Sequence, residues 1–287
     1  MADRPLDRLL RLGRELSRRL RTLGPWAAAA AFALPLAYLV LGALRPVGAT
    51  APTGAEILPA NPGLESFGRA FELQPLVRQL LNSLLVAGIA VPLSVACASA
   101  AGFAILLASP RARRWLVGAS LALLVIPPAA LWVPRFVLYA QAGLTDTYVP
   151  LIAPALLGTS PFLVLLMYWS FRRIPADLID AGRLEGLGPV ALWWRIGVPL
   201  TRPTAFAVAA LAFVFHWGNF IDPLLYLFSP EKATLPLGLR ALAELRPTDF
   251  GVTLAGALVA TLPAVIAFAL VQRRFLSDTR GAGWLGR

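Results

Sequence analysis

Residues 79–110 read QLLNSLLVAGIAVPLSVACASAAGFAILLASP, 32 consecutive positions without a charged side chain. A helix crosses a bilayer core of ~30 Å in about 20 apolar residues, and in hydrocarbon its backbone groups must be satisfied internally. The stretch therefore predicts a transmembrane helix, long enough to be tilted or kinked near Pro92. Working outward, similar runs stand at Trp26–Leu44, Trp115–Pro134, Thr147–Phe171, Pro203–Ile221 and Phe250–Gln272. The run from Trp115 is expected to continue through Arg135 towards Tyr139, and the run from Pro203 past Asp222 towards Phe228. Six spans make this an all-α membrane protein. Composition agrees: 58% of the 287 residues are hydrophobic, only 14% are charged, and the mean hydropathy is +0.70. A soluble domain carries roughly a quarter charged residues.

The charge imbalance, 26 basic against 15 acidic residues, would suggest nucleic acid in a soluble protein. Here the basic residues sit between apolar runs and orient them instead, so no nucleic-acid partner is expected. With the N-terminus inside, segments 1–25, 108–114, 172–202 and 273–287 hold 19 of the 26 basic residues and seven acids, a net of +12; the remainder nets −1. Basic residues mark the cytoplasmic side, so both termini are expected in the cytoplasm of a bacterial cell membrane, facing lipid headgroups. The resulting organisation is a tail at 1–25, a first span at 26–44 and an extracytoplasmic loop at 45–75 without a signal of its own. A core of five spans at 76–272 carries the loop 172–202, and a second tail occupies 273–287. The first tail places Leu9, Leu12, Leu16 and Leu20 at helical spacing among arginines. It reads either as an amphipathic helix on anionic lipid or as an orientation signal alone. The run after it exceeds a signal-peptide core, so it is expected to be retained.

Cys97 and His216 are the only residues of their kinds. They build no disulfide framework, no metal site and no nucleophile–base set. A phosphate-cradling loop needs Gly-Lys-[Ser/Thr], whereas the single lysine lies in Glu231-Lys232-Ala233. The chain is therefore expected to bind no cofactor and to be no enzyme by itself.

The most informative loop is FRRIPADLIDAGRLEGLGPVALWWRIGVPLTRP, residues 171–203. Pro175 suits a first helical position and Asp177 the positive end of the helix dipole. The helix is expected to run to Glu185 and stop at Gly186 or Gly188. Pro189 then opens a second short helix through Arg195, ended before Pro199. Ala181, Gly182 and Gly186 predict a shallow surface that lets a partner's backbone approach.

This loop resembles the Glu-Ala-Ala-x3-Gly motif of ABC importer permeases, which is followed nine residues later by Ile-x-Leu-Pro. The chain has Asp180-Ala181-Gly182, then Gly186, then Ile196-Gly197-Val198-Pro199 at matching spacing. It departs by Asp for Glu, Gly for the second Ala and Val for Leu. Leu81-Asn82-Ser83-Leu84, Ala101-Gly102-Phe103-Ala104, Gly143-Leu144-Thr145-Asp146-Thr147-Tyr148 and Trp217-Gly218-Asn219-Phe220 look like the carbohydrate-type subfamily. The close, Gln272-Arg273-Arg274-Phe275 and Gly281-Ala282-Gly283, is similar to the second permease subunit of maltose-type systems.

The resemblance implies a MetI-like transmembrane fold and a permease pairing with a homologous permease as a heterodimer. It also implies an extracytoplasmic solute-binding protein and a separate cytoplasmic ABC ATPase dimer that uses ATP and Mg. Asp180 would pair with a basic ATPase group, while Ala181, Gly182, Glu185 and Gly186 would meet its cleft. Ile196 and Pro199 would brace the loop, and the C-terminal tail either inserts between the ATPases or is a free end. Asn82, His216, Asn219 and Asp222 are candidates for the translocation path. Hydrogen bonding between helices accounts for such intramembrane polar groups equally well. A sugar or oligosaccharide is the solute the resemblance implies, with glycerol phosphate or another polar compound as the alternative. An ATP-independent secondary transporter is the remaining reading.

Overall fold

Apolar runs punctuated by proline set the helices of the computed structural model, which describes residues 5–52, 58, 59, 61–156, 160–245 and 248–281, with side chains only between 24 and 270. Among the described residues there is no strand. Four segments are long and apolar enough to cross a membrane: Gly24–Ala43, Leu76–Leu107, Val149–Phe171 and Phe250–Leu270. Two bent helix pairs bring the number to six, Pro110–Val125 with Pro128–Gln141 at 91° and Pro189–Leu200 with Arg202–Trp217 at 85°.

The chain divides into two units. The first comprises Met1–Leu73 and Leu242–Leu258. It contains α1 (Pro5–Ala43), α2 (Glu65–Leu73) and the start of α14 (Phe250–Gly281). Tail and first span are thus one continuous helix; the side chains that would define a lipid-facing stripe on the tail lie outside the described residues. The segment 45–75, expected as a featureless loop, contains α2, whose first turn carries Glu65 at the favourable end of the helix dipole. Ser66 donates to the Arg45 carbonyl at 2.6 Å, and the Phe250 amide to the Ala49 carbonyl at 3.1 Å.

The second unit is Gln74–Ala241 with Val259–Arg287. Its axis is α3 (Leu76–Leu107), a single helix through Pro92 that packs on α6 (Val149–Leu156), α7 (Pro161–Phe171) and α11 (Arg202–Trp217). Phe103, Leu163, Val164, Met167, Tyr168, Phe171, Val208 and Ala212 form the shared core. Ser109 caps α4 (Pro110–Val125) by accepting from the Ala112 amide at 3.4 Å, with Pro110 at a position where no N–H is needed. One turn later Arg113 donates back to the carbonyls of Ile105, Leu106 and Ala108, which the end of α3 leaves unpaired.

Two expected spans are interrupted. The run from Trp115 does not continue straight to Tyr139: α4 ends at Val125, and a short turn, Pro128–Leu131, leads into α5 (Trp132–Gln141) at 91°. Pro127 and Pro128 supply no N–H, and a residue before proline is driven out of the helical region; Ile126 accordingly has ψ 119°. The run from Pro203 likewise stops at Trp217, and the separate α12 (Ile221–Tyr226) follows the Gly218 cap.

Asp146 ties two connections together. It stands at φ 55° between α5 and α6, and its amide donates to the Tyr226 carbonyl at 2.7 Å. Its carboxylate accepts from the amides of Phe228 and Ser229 at 3.0 and 2.9 Å and from Lys232 Nζ at 2.9 Å. The Ser229 hydroxyl, then the Ser229 amide, Lys232 and the Phe228 amide hold this carboxyl far below the usual carboxylate range. A depressed folded pKa contributes stability that is complete above the unfolded value near 4 and is lost as pH falls below it. Thermal melting in detergent should show a lower Tm for Asp146→Asn between pH 5 and 8. The gap to the parent should narrow below about pH 4.

Candidate functional site

The loop between α7 and α11 folds into α8 (Ala176–Leu184), α9 (Pro189–Leu192), a π-turn over Trp193–Gly197, and α10 (Val198–Leu200). Pro175 is the residue before α8 rather than its first. Gly186 follows α8 at φ +82°, where an added Cβ would meet nothing within 4 Å but the backbone conformation disfavours any other residue except asparagine. The second helix does not end before Pro199 but passes through it. The wider π-turn, in which the Val198 amide reaches the Trp193 carbonyl, absorbs the hydrogen bond that proline cannot make.

Two faces result. The inner face belongs to the core of the spans: Ile179 and Leu192 are buried in the same cluster as Phe103, Met167 and Phe171. Trp193 Nε1 donates to Ser99 Oγ on α3 at 2.9 Å. Gly197 lies against Phe103 and Phe171, whose rings meet edge to face at 5.2 Å. Ile196 packs on Gly182 within the loop and, like Trp193, against the core cluster that holds Phe103, Met167 and Phe171. Pro199, half-buried, shapes the turn. Gly182, expected on the docking surface, is buried and faces its own loop: a Cβ there would stand 2.6 Å from Leu192 Cδ2 and 2.9 Å from Ile196 Cδ1.

The outer face carries Asp180, Ala181, Glu185 and Gly186, all exposed. Asp180 pairs with Arg183 one turn on at 3.0 Å. Beside them stand three apolar side chains that sequence reasoning missed, Leu184 (90% exposed), Val190 (74%) and Trp194 (64%). The signal was available: Val190 and Trp194 share a helix face at i, i+4.

A second site is a cavity of about 420 Å³ between α3, α5, α6, α7, α11 and α12. Its wall includes Ser94, Trp132, Arg135, His216, Asn219 and Asp222. His216 Nε2 lies 3.2 Å from Ser94 Oγ. Asp222 accepts from the Asn219 amide nitrogen at 2.8 Å, and its other oxygen lies 3.6 Å from Arg135 Nη1. His216, Asn219 and Asp222 are thus brought together, joined by Arg135 and Ser94. Asn82 is not with them. Its amide donates to the carbonyls of Glu231 and Ala233, both at 2.9 Å, and holds the start of α3 to the connection before α13 (Leu235–Leu245). Among the described residues no group of three or more His, Cys, Asp or Glu side chains is placed to hold a metal.

Residues 73–276 match the family model described as binding-protein-dependent transport system inner membrane component. The lactose transport system permease protein of Rhizobium radiobacter is 29% identical over 70% of this chain and 73% of its own length. The arabinooligosaccharides transport system permease protein of Halalkalibacterium halodurans is 29% identical over 88% and 91%. A chain from the crystal structure of a bacterial ABC transporter involved in import of the acidic polysaccharide alginate superposes with a TM-score of 0.72. At 19% identity, it covers 95% of this chain and 99% of that one.

Proposed function

The chain belongs to the binding-protein-dependent transport system inner membrane components, and from that premise we propose that it forms half of the translocation path of an ABC importer for a sugar or oligosaccharide. The relatives named for lactose and arabinooligosaccharides support the solute class. A homologous permease completes the path as a heterodimer, and the binding protein delivers solute from outside. A separate ATPase dimer, using ATP and Mg, takes the loop 172–202, which places both termini on the cytoplasmic side. No catalytic step belongs to this chain.

The observation that carries the coupling role is the two-faced loop. Its inner residues are part of the core of α3, α7 and α11, so a push on the loop moves the spans rather than bending a tether. Its outer residues offer Leu184, Val190 and Trp194 to a cleft, rimmed by Asp180 and Glu185. The exposed Asp180–Arg183 pair is worth only a few tenths of a kcal/mol, so Asp180 exchanges Arg183 for a partner's basic group at little cost. The docking contact is led by the apolar three, with Ala181 and Gly186 allowing close approach and Gly182 setting the angle between the two loop helices.

Purification of the intact importer tests this. Leu184→Asp combined with Trp194→Asp should reduce ATPase recovered with the permease pair by roughly tenfold or more, with the chain still in the membrane. Wild-type recovery and uptake would remove the loop from the docking role, and an uptake that needs no ATPase would return the chain to the secondary-transporter reading.

A further inference from the structure

The relatives with this fold do not decide the charge of the solute, because lactose, a neutral disaccharide, and alginate, an acidic polysaccharide, both stand among the solutes they are named for. The cavity wall is more informative. Among its described residues, Arg135 and Asp222 carry the formal charges at neutral pH. They approach to 3.6 Å, with 28% and 14% of their side chains exposed.

Each charge is held. Arg135 Nη2 donates to the Pro150 carbonyl at 3.4 Å, and its guanidinium lies 5.9 Å from the centre of the Tyr226 ring. Asp222 is fixed by Asn219 from two sides, through Asn219 Nδ2 to its carboxylate and through its own amide to Asn219 Oδ1 at 3.2 Å. A charge at membrane depth is retained only when it is paired or used. Here the pairing leaves a wall with no net charge. The remaining wall is amphipathic: Trp132 and Phe215 contribute aromatic surface, while His216, Ser94 and Ser160 contribute hydrogen-bonding groups. A pyranose presents the same two kinds of surface, C–H faces and a rim of hydroxyls.

We infer that Asp222, by neutralising Arg135, adapts this cavity to uncharged polyhydroxylated solutes and removes the cationic site that a sugar acid would require. The inference rests on the reading that the cavity lines the translocation path. Asp222 is in these terms a specificity-determining residue, and Asn219 is the positioning residue that keeps its carboxylate facing Arg135.

The test reads the local potential directly in the assembled importer. Cys97, the single native cysteine of the chain, is replaced by serine, and Phe215→Cys places a thiol on the cavity wall. Labelling rates of this chain are compared for an anionic sulfonatoethyl and a cationic trimethylammonioethyl methanethiosulfonate. With Arg135 and Asp222 intact, the anion-to-cation ratio should match that of an exposed thiol outside both the cavity wall and the loop 172–202, Leu58→Cys (74% exposed), within about threefold. Asp222→Asn should raise the ratio about tenfold or more, and Arg135→Gln should lower it as much. The double variant should return to the parent ratio. If Asp222→Asn prevents assembly, Arg135→Gln carries the same test with the opposite sign. A ratio that neither variant moves, or a parent that already favours the anion tenfold, overturns the inference and leaves the path reading standing. A Phe215→Cys thiol that neither reagent reaches, while Leu58→Cys is labelled, overturns the path reading and the inference with it.

Discussion

Gly182→Leu is expected to stop solute uptake by the assembled importer while leaving the chain inserted in the membrane. The two loop helices cross at this glycine, where a Cβ alone would stand 2.6 Å from Leu192 Cδ2 and 2.9 Å from Ile196 Cδ1. Both atoms are ends of flexible side chains, so Gly182→Ala is absorbed by small rotations and should keep most of the activity. Leucine has nowhere to go: Leu192 is 2% exposed and already fills the space. Overpacking costs about 1–3 kcal/mol, too little to unfold the spans but enough to push α8 away from α9. That shift separates Leu184 and Asp180 from Val190 and Trp194, and on the proposed coupling role a face broken in two would no longer transmit the ATPase stroke. Uptake in vesicles should fall by about a hundredfold, with membrane levels of the chain within about twofold of the parent. Gly186→Arg should uncouple by another route, since Gly186 is exposed and at φ +82°. A non-glycine there costs about 1–2 kcal/mol of backbone strain, and the side chain adds bulk to the docking face. Gly186→Asn, which tolerates the left-handed conformation, should retain coupling. Normal uptake by Gly182→Leu would mean that the angle between the loop helices is irrelevant to docking.

The contrast between these two glycines shows how far the sequence could be read. Both sit in the motif, and spacing alone treats them alike. Helical phase separates them: Gly182 follows the buried Ile179 by three positions, on the face turned to Leu192, whereas Gly186 lies beyond the helix end. The spans were legible because an uncharged run of 20 or more residues has one physical solution in lipid. The corner after Val125 was not, because the apolar run continues across Pro127 and Pro128 and hydropathy carries no direction. The loop 172–202 was legible as a motif, yet its exposed apolar side chains were not, since Leu184 and Trp194 look like core residues until burial is known. In the cavity, His216, Asn219 and Asp222 were visible as polar groups in one apolar run. Their partner Arg135 comes from a distant helix, and only the tertiary fold sets it 3.6 Å from Asp222. Asn82 shows the reverse case: an amide at the start of a span looks available to solute, but two backbone carbonyls of a connecting segment already occupy it.

The largest effect on folding is expected at Gly102. Transmembrane helices gain little from apolar burial against one another, since lipid is equally apolar, so close backbone approach over small residues carries much of their packing. At Gly102 on α3 the backbone of α7 comes close: an added Cβ would stand 2.8 Å from the Tyr168 amide nitrogen, 3.0 Å from Met167 Cβ and 3.1 Å from the Val164 carbonyl oxygen. Two of these three atoms are backbone and cannot rotate aside. Gly102→Ala must therefore separate α3 from α7 by several tenths of an ångström and loosen the contacts of Phe103, Met167 and Tyr168, all buried in the shared core. Its cost should be about 1–3 kcal/mol, read as a clear drop in Tm of the detergent-solubilised chain. Gly102→Leu should abolish recovery of monodisperse protein. Gly88 lies on the same helix, and a Cβ added there would meet nothing within 4 Å, so Gly88→Ala should be neutral or stabilising by up to about 1 kcal/mol through helix propensity alone. Equal melting of Gly102→Ala and Gly88→Ala would show that the α3–α7 approach contributes nothing to stability. A selective loss at Gly102 would establish it as the axis on which the Trp193–Ser99 and Gly197–Phe103 contacts of the loop depend, and uptake should then fall in parallel with Tm.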